Sequence, residues 1–139
     1  MVSPEYTDEN YSIFNAYINA RHIDGDMYPA DPDQFRSFLV DGRPEAAFCE
    51  FRKDDKLIAV CVADVMSDGL SAIYTFFSPA ESKRGLGNFA VLWLIEEAIK
   101  MNKPNVYLGY WIKECQKMNY KMDYRPIEAY YRDQWQLVK

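Results

Sequence analysis

The chain has 139 residues, of which 49% are apolar and 16% aromatic, and its formal net charge at pH 7 is −5. This length and apolar content suit one compact domain and exclude a disordered chain. The longest apolar run, from Phe89 to Ile95, is shorter than the roughly 18 residues that a membrane-spanning helix needs. No secretory signal is visible either. We therefore expect a single cytoplasmic domain over residues 1–139 with no membrane partner.

The three cysteines are Cys49, Cys61 and Cys115. Their odd number and wide spacing, without a CxxC pair, argue against a disulfide framework and against structural zinc. We expect buried thiols and no metal site.

The charge is unevenly distributed along the chain. Residues 1–50 carry ten acidic and three basic side chains, whereas residues 100–125 carry six basic and two acidic ones, interspersed with tyrosines and a tryptophan. Basic and aromatic side chains together are typical of a groove that binds a phosphate backbone and stacks bases. A solvated charged face above buried tyrosines is the alternative that composition leaves open.

Two helices are predicted first. One begins at Thr7-Asp8-Glu9 and ends near Arg21; the other has Asp31 as N-cap and Pro32 in its first turn, and stops before Asp41-Gly42-Arg43-Pro44. Spacings of three and four place one apolar stripe on each helix. The predicted inward residues are Tyr11, Phe14, Tyr17, Ile18, Phe35, Phe38 and Leu39.

A meander of three antiparallel strands is predicted next, over Ala46 to Arg52, Leu57 to Met66 and Leu70 to Phe77. The middle strand is continuously apolar from Leu57 to Ala63, which indicates cover on both faces. We therefore expect helices on both sides of the sheet.

The turn after the third strand carries two glycines two residues apart, followed by a helix predicted over Phe89 to Met101. Glycines at a helix start leave backbone amides open to an anion, and the helix dipole favours negative charge there. The predicted phosphate-binding residues are Ser82, Lys83, Arg84, Gly85, Leu86 and Gly87. A plain turn with solvated cations is the alternative. Because the helix is apolar nearly all round its first two turns, we expect Phe89 and Leu92 in the core.

The last part of the chain predicts a strand over Val106 to Ile112, parallel to the third strand through a right-handed crossover. Gly109 in this strand suggests a bulge or a close approach of substrate where the strands separate. A short helix over residues 113–120 and two short strands, 122–125 and 135–138, follow. The predicted fold class is α/β (α+β), a mixed sheet with an antiparallel meander and a central parallel pair.

This order of elements resembles the GNAT acyltransferase fold, whose signature Gln/Arg-x-x-Gly-x-Gly/Ala is matched at both glycines, with Ser82 in the first place. A wider string, over residues 5–130, resembles the C-terminal domain of the aminoacyl-tRNA protein transferases, the arginyltransferases and their bacterial leucyltransferase relatives. The segments that carry this resemblance are Arg21-His22, Asp24–Met27, Tyr74–Pro79, Glu81–Arg84, Leu86-Gly87, Tyr107–Ile112, Lys117-Met118, Tyr120-Lys121 and Arg125-Pro126.

The resemblance implies transfer of an amino acid, Leu or Arg, from charged tRNA to the amino terminus of a protein that begins with Asp or Glu, which marks it for degradation. Aminoacyl-tRNA is then the donor and no cofactor is expected. The family normally has a preceding domain with a cysteine cluster, which nothing here matches, so this is either the C-terminal part of a two-domain transferase or a stand-alone relative. Two alternatives remain: a coenzyme A dependent N-acyltransferase, and a non-catalytic module that binds acidic N-termini or tRNA ends.

Attack of an amine on an activated ester needs positioning and stabilisation of negative charge on oxygen. His22, the only histidine, is one candidate catalytic residue, and a structural role is its alternative. Tyr74 and Tyr120 are alternative proton relays.

Recognition of an acidic N-terminal residue requires a cation, for which Arg suits best. The predicted acceptor-binding residues are Tyr110, Trp111, Lys117, Lys121 and Arg125. Strand alternation allows only one of the two aromatic residues to face the site. Structural salt bridges are an equal alternative for the three cations.

Overall fold

The computed structural model describes residues 1–21, 29–109, 121 and 123–138. They form two compact units, Met1–Tyr107 and Leu108–Lys139, which are treated separately below. No helix in these residues is long and apolar enough to span a bilayer. The single-domain organisation over residues 1–139 stays a prediction.

The first unit is built on a four-stranded sheet in the order β1-β2-β3-β4. The predicted antiparallel meander of β1, β2 and β3 is confirmed, and so is the parallel pairing of β4 with β3. The strands are β1 (Ala46–Lys53), β2 (Lys56–Met66), β3 (Gly69–Phe77) and β4 (Asn105–Tyr107). β4 is shorter than the predicted strand: residues 108 and 109 are not in a strand, and residues 110–112 lie outside the described part of the chain.

The parallel pair of β3 and β4 involves three residues of each strand, Gly69–Ser71 and Asn105–Tyr107, and its first residues are closely packed. A Cβ on Gly69 would lie 2.5 Å from the Asn105 carbonyl oxygen, so only glycine permits this approach. Beside it, Lys103 Nζ donates to the Met66 carbonyl oxygen at 2.6 Å. The turn between β2 and β3 is thereby tied to the start of β4.

The helix α1 (Asp8–Arg21) is confirmed within a residue of its predicted bounds. The second helix begins as predicted, because the Asp31 carboxylate accepts from the Asp33 amide at 2.9 Å, but α2 (Pro32–Phe35) continues as a π-helical turn over Arg36–Val40. The prediction for Phe38 was wrong: this side chain is 36% exposed. The wider turn, closed by the bond from the Asp41 amide to the Arg36 carbonyl, rotates Phe38 off the buried stripe.

Both faces of the sheet are covered, as predicted. On one face the rings of Phe14 (α1), Phe35 (α2) and Phe76 (β3) meet at centroid distances of 5.0 to 6.1 Å. On the other face Phe51 of β1 contacts Phe89 at 5.2 Å. Between the two layers β2 is buried from Leu57 to Ala63, which accounts for its apolar run.

The central helix, α3 (Leu86–Lys100), begins three residues before the predicted start and follows a 3₁₀ helix over Pro79–Arg84. The prediction of Phe89 and Leu92 as core residues was wrong, because they are 48% and 55% exposed. The buried stripe of α3 is Leu86, Ala90, Val91, Leu94 and Ala98. A sequence that is apolar all round does not show which side faces the sheet, and the small alanines pack closest.

The two described cysteines are buried and free, as predicted, whereas Cys115 lies outside the described residues. Cys49 and Cys61 are direct partners across β1 and β2. A hydrogen bond with Cys61 and burial raise the pKa of the Cys49 thiol, which keeps it protonated.

The described part of the second unit contains a hairpin of β5 (Ile127–Tyr131) and β6 (Gln134–Val138). The second of the predicted strands is confirmed, but the first, at residues 122–125, was wrong. Arg132 and Asp133, both with positive φ, form a two-residue turn. A two-residue turn joins strands that are adjacent in the sequence, so the strand that pairs with β6 ends at Tyr131, directly before the turn. The helix predicted at residues 113–120 falls outside the described residues.

Candidate functional site

The start of α3 is an open glycine turn at the end of β3. Gly85 is the N-cap in the left-handed conformation (φ +63°), and no side chain caps the helix from this position. A Cβ placed on Gly85 or Gly87 would meet no atom within 4 Å. The first amides of a helix have no partner within the helix, so the amides of this turn can bind an anion, with the helix dipole in its favour.

The cations predicted beside this turn differ in their contacts. Lys83 is exposed and forms no ion pair among the described residues. Arg84 forms an ion pair with Glu81 inside the same 3₁₀ helix, which lowers the pKa of the Glu81 carboxyl. Arg84 is therefore paired within its own 3₁₀ helix while its side chain stays exposed. Ser82, directly before Lys83, is exposed as well.

Two further cations, Lys53 and Lys56, come from the distant turn between β1 and β2. The register pairs the end of β3 with the start of β2, and the Ser78 amide donates to the Ile58 carbonyl at 2.9 Å. The pKa of Glu81 is lowered by Arg84 first and then by Lys53 and Lys56, so their charges reach the 3₁₀ helix. These lysines were not predicted to lie near the glycine turn, although the pairing of the predicted hairpins contained the signal.

The same hairpin turn carries Asp54 and Asp55, both exposed and both with positive φ. Their carboxylates offset part of the lysine charge. The corner of the molecule around the start of α3 is consequently a mixed cluster in which cations exceed carboxylates by a small margin. An anion would be favoured there by the open amides as well as by the net charge.

Tyr74 is the one predicted catalytic residue within the described part of the chain. It lies on β3, on the face covered by α1, and its ring contacts Tyr17 and Phe38 at centroid distances of 6.2 and 5.7 Å. Its hydroxyl oxygen is buried and has no hydrogen-bond partner in the described structure. Burial, with a smaller effect of Tyr17, raises the pKa of Tyr74, so the hydroxyl is a donor at neutral pH and a poor base.

The β3 strand is irregular on both sides near Tyr74. Pairing with β4 ends at Ser71, and the register with β2 shifts between Val62 and Ala63, which leaves Ile73 without a partner in β2. A bulge of this kind bends a strand and redirects its side chains. Within the described residues, β3 therefore loses its β4 neighbour just before Tyr74.

Two predicted acceptor-binding residues, Lys121 and Arg125, and the predicted bulge residue Gly109 can be placed in the second unit. Gly109 has φ +83°, and a Cβ there would lie 3.6 Å from Lys121 Nζ, so these two residues are neighbours. Arg125 donates from Nη1 to the Tyr124 carbonyl oxygen at 2.8 Å. The other predicted site residues, outside the described part of the chain, are His22, Tyr110, Trp111, Lys117 and Tyr120.

Comparison with solved structures establishes the fold. The chain superimposes on the crystal structure of the ribosomal-protein-S18-alanine N-acetyltransferase from Escherichia coli with a TM-score of 0.62, covering 93% of this chain and 78% of that one at 17% identity. At this identity the similarity shows the fold alone. The predicted GNAT-like α/β fold is confirmed.

Comparison with protein families and curated sequences identifies the relatives. Residues 9–131 match the family model described as "Arginine-tRNA-protein transferase, C terminus". The chain is 53% identical over 133 residues to the aspartate/glutamate leucyltransferase of Hahella chejuensis (strain KCTC 2396), covering 96% of the chain and 57% of that protein. For the enzyme of the same name in Pseudomonas fluorescens (strain SBW25), the identity is 52% over 132 residues, and 95% of the chain and 56% of that protein are covered.

The chain thus spans a little more than half the length of these curated relatives. The family match covers nearly all of α1, the sheet, the glycine turn, α3 and β5. The resemblance stated from the sequence motifs is confirmed. This chain belongs to the arginine-tRNA-protein transferase family, in the part that the family describes as its C terminus.

Proposed function

We propose that the chain is the catalytic domain of a transferase that moves leucine from charged tRNA to the α-amino group of a protein beginning with Asp or Glu. The observation that carries this proposal is the uncapped glycine start of α3, flanked by cations, in a chain whose relatives are named aspartate/glutamate leucyltransferase. The product would be a protein marked for degradation in the cytoplasm. A further domain or partner chain, corresponding to the part of the relatives that is not matched here, belongs to the same proposal.

The donor is bound at the glycine turn in this proposal. The amides of Gly85, Leu86 and Gly87 bind the phosphates of the terminal nucleotides, while Lys83 and Arg84 supply charge beside them. Ser82 adds a hydroxyl at the edge. Lys53 and Lys56 extend the cationic surface toward the next phosphates along the strand, since a single-stranded end follows a positively charged path.

The reaction is an acyl transfer between an ester and an amine. The neutral α-amino nitrogen of the acceptor attacks the ester carbonyl carbon, and a C–N bond forms as the carbonyl oxygen becomes negatively charged. The C–O bond to the ribose then breaks, and the proton lost by the amine passes to the ribose oxygen. Because the ester is already activated, positioning and stabilisation of that oxygen account for most of the required catalysis, and no cofactor takes part.

Proton transfer in this scheme is assigned to His22 or Tyr120. The raised pKa of Tyr74 disfavours it as a base and leaves it the role of hydrogen-bond donor. The acidic acceptor is bound by Arg125 with Lys117 or Lys121, because a planar guanidinium pairs with a carboxylate through two parallel bonds. Tyr110 or Trp111 lines the acceptor side, in line with strand alternation.

The test is a pair of alanine substitutions with a matched control. Gly87→Ala adds a methyl group at the glycine turn, where it meets no protein atom within 4 Å. The methyl group would instead obstruct a phosphate that binds the amides of Gly85, Leu86 and Gly87. We expect the melting temperature of this variant to be unchanged or slightly raised, because alanine favours the helix. Its affinity for leucyl-tRNA should fall about tenfold or more, the effect of losing one hydrogen bond to a charged group.

Lys83→Ala and Lys100→Ala each remove one positive charge, the first just before the start of α3 and the second at its last residue. We expect Lys83→Ala to reduce the slope of log affinity against log salt by about 0.7 to 0.9 per lost phosphate contact, and Lys100→Ala to leave it unchanged. Equal slopes for the two variants, or full affinity in Gly87→Ala, would contradict binding at this turn.

A coenzyme A dependent N-acyltransferase is the second candidate, because the open amides at the start of α3 suit a pyrophosphate as well as the phosphates of a tRNA end. Its pyrophosphate would occupy the same glycine turn. Saturable binding of acetyl coenzyme A that is unaffected by tRNA would support this candidate. Binding of an Asp-starting peptide without any product, in the presence of leucyl-tRNA, would instead indicate a recognition module.

A further inference from the structure

The Tyr74 hydroxyl is the buried side-chain oxygen for which the described structure offers no partner. A buried polar group without a hydrogen bond destabilises the folded state, and such groups are few in native proteins. Phenylalanine would fill the same space among these rings without that cost. Within the described residues the hydroxyl is thus a destabilising feature, and a bound ligand would supply the missing partner.

The surroundings of Tyr74 restrict what that partner is. Four aromatic rings lie around it, those of Phe14, Tyr17, Phe38 and Phe76, at centroid distances between 5.7 and 6.5 Å. The site therefore accepts an apolar group next to a single hydrogen-bond acceptor. A free phosphate or a carboxylate would lose its hydration against these rings without an ion partner from them.

Phe38 is the ring of this cluster that can move most freely. Of the four rings around Tyr74 it is the most exposed, and it lies on the π-helical turn Arg36–Val40 rather than on a regular helix. Single π-helical turns occur frequently at functional sites. Exposed side chains change rotamer readily, whereas Phe14 and Phe76 are fully buried, so a ligand approaching Tyr74 would displace Phe38 before the other rings.

We propose that Tyr74 donates a hydrogen bond to the carbonyl oxygen of the aminoacyl ester, while the apolar side chain of the donor amino acid packs against Tyr17 and Phe38. This rests on the function proposed above. An O–H donor fits the carbonyl oxygen, because that oxygen accepts in the ester and accepts more strongly when it carries the negative charge of the intermediate. The bond strengthens along the reaction and therefore acts chiefly on kcat.

The experiment compares Tyr74→Phe with Tyr11→Phe in the 139-residue chain. Tyr11 belongs to the same aromatic layer, with ring contacts to Phe14 and Phe35, and it has no place in the proposed site. Transfer of leucine from leucyl-tRNA to an Asp-starting peptide gives kcat and KM. Binding of 3′-amino-3′-deoxyadenosine carrying leucine in amide linkage, measured by calorimetry, gives affinity for an unreactive donor end.

For Tyr74→Phe we expect kcat to fall about 10²-fold or more, with KM nearly unchanged, which is the size of effect seen when one donor to a developing oxyanion is removed. Affinity for the amide probe should fall severalfold, and the melting temperature should stay equal or rise. Tyr11→Phe should match the parent in kcat and in probe affinity.

The other outcomes distinguish failure of the Tyr74 assignment from failure of the proposed transferase function. Parental kcat and parental probe affinity in Tyr74→Phe would overturn the assignment of Tyr74 and leave the transferase proposal standing. A lower melting temperature accompanying the loss of activity would show a structural role and overturn it as well. If the parent binds the probe without transferring leucine, probe affinity alone tests the assignment of Tyr74. A severalfold lower affinity in Tyr74→Phe than in Tyr11→Phe supports it, and equal affinities overturn it. A parent that neither binds nor transfers would contradict the proposed function itself.

Discussion

The two long helices of the first unit, α1 and α3, cover opposite faces of one sheet, but they begin in opposite ways. At α1 the Asn10 amide donates to Thr7 Oγ1 at 3.1 Å, and the Thr7 amide donates to Asn10 Oδ1 at 3.0 Å. At α3 the N-cap is Gly85, which has no side chain to offer. One helix start is closed by its own residues, whereas the N-cap of the other contributes no side chain.

The outer faces of the two helices also differ. The described residues of α1 include no exposed large apolar side chain, whereas α3 exposes Phe89, Leu92 and Ile99. The large apolar side chains of α1 are therefore buried or partly buried, whereas α3 has more of them than it buries. The difference teaches that helix hydrophobicity alone does not measure contribution to stability, and the predictions below test this in order of expected size.

The largest expected effect is a difference in stability between two matched truncations, one of a phenylalanine on α1 and one of a phenylalanine on α3. Phe14→Ala removes a fully buried ring that contacts Phe35 and Phe76, and we expect a loss of about 3 to 5 kcal/mol in the free energy of unfolding. Phe89→Ala removes a half-exposed ring, and its loss should be about 1 to 2 kcal/mol, mainly from the contact with Phe51. Denaturant unfolding measures both. Equal losses would show that the outer side of α3 is as tightly packed as the α1 side.

The second prediction concerns the closed start of α1. Asn10 is buried, and its side chain also donates to the Glu5 carbonyl oxygen at 2.6 Å. Asn10→Ala leaves two backbone groups without partners, and we expect a loss of about 1 to 3 kcal/mol by denaturant unfolding. Asn19→Ala is the control, because its single side-chain bond to Asn15 is exposed. A loss below that of the control would mean that α1 does not depend on this cap.

How far the sequence predicts these features depends on the range of the interactions involved. The bounds of α1, the meander and the glycine turn follow from local patterns, namely caps, alternation and glycine spacing, and these are the parts that the structure confirms. The exposure of Phe89 and of Phe38 was predicted wrongly. Both depend on which side of a helical segment meets the sheet, and an evenly apolar helix or a π-helical turn conceals that.

The candidate site likewise has a part that follows from local sequence and a part that depends on tertiary packing. The glycine turn, proposed to bind the donor, is a continuous segment and is visible in the sequence. The approach of Lys53 and Lys56 to that turn depends on strand register, and the buried state of the Tyr74 hydroxyl depends on how α1 and the π-helical turn pack over β3. These are tertiary facts, so only a correct pairing of hairpins and helices reveals them.

The smallest expected effect tests whether the hairpin lysines lie beside the open start of α3. The pKa of Glu81 is below its ordinary 4.5, first because of Arg84 and then because of Lys53 and Lys56. A carboxyl with a lowered pKa contributes stability above its unfolded pKa, and this contribution disappears as the pH falls through the lowered folded value. A carboxyl-carbon NMR titration should therefore show the pKa of Glu81 rising in Arg84→Ala, and rising by a smaller step in the double variant Lys53→Ala, Lys56→Ala. Lys100→Ala, at the far end of α3, should leave it unchanged. An unshifted Glu81 in the double variant would place the hairpin turn away from the 3₁₀ helix and remove its lysines from the proposed path of the tRNA end.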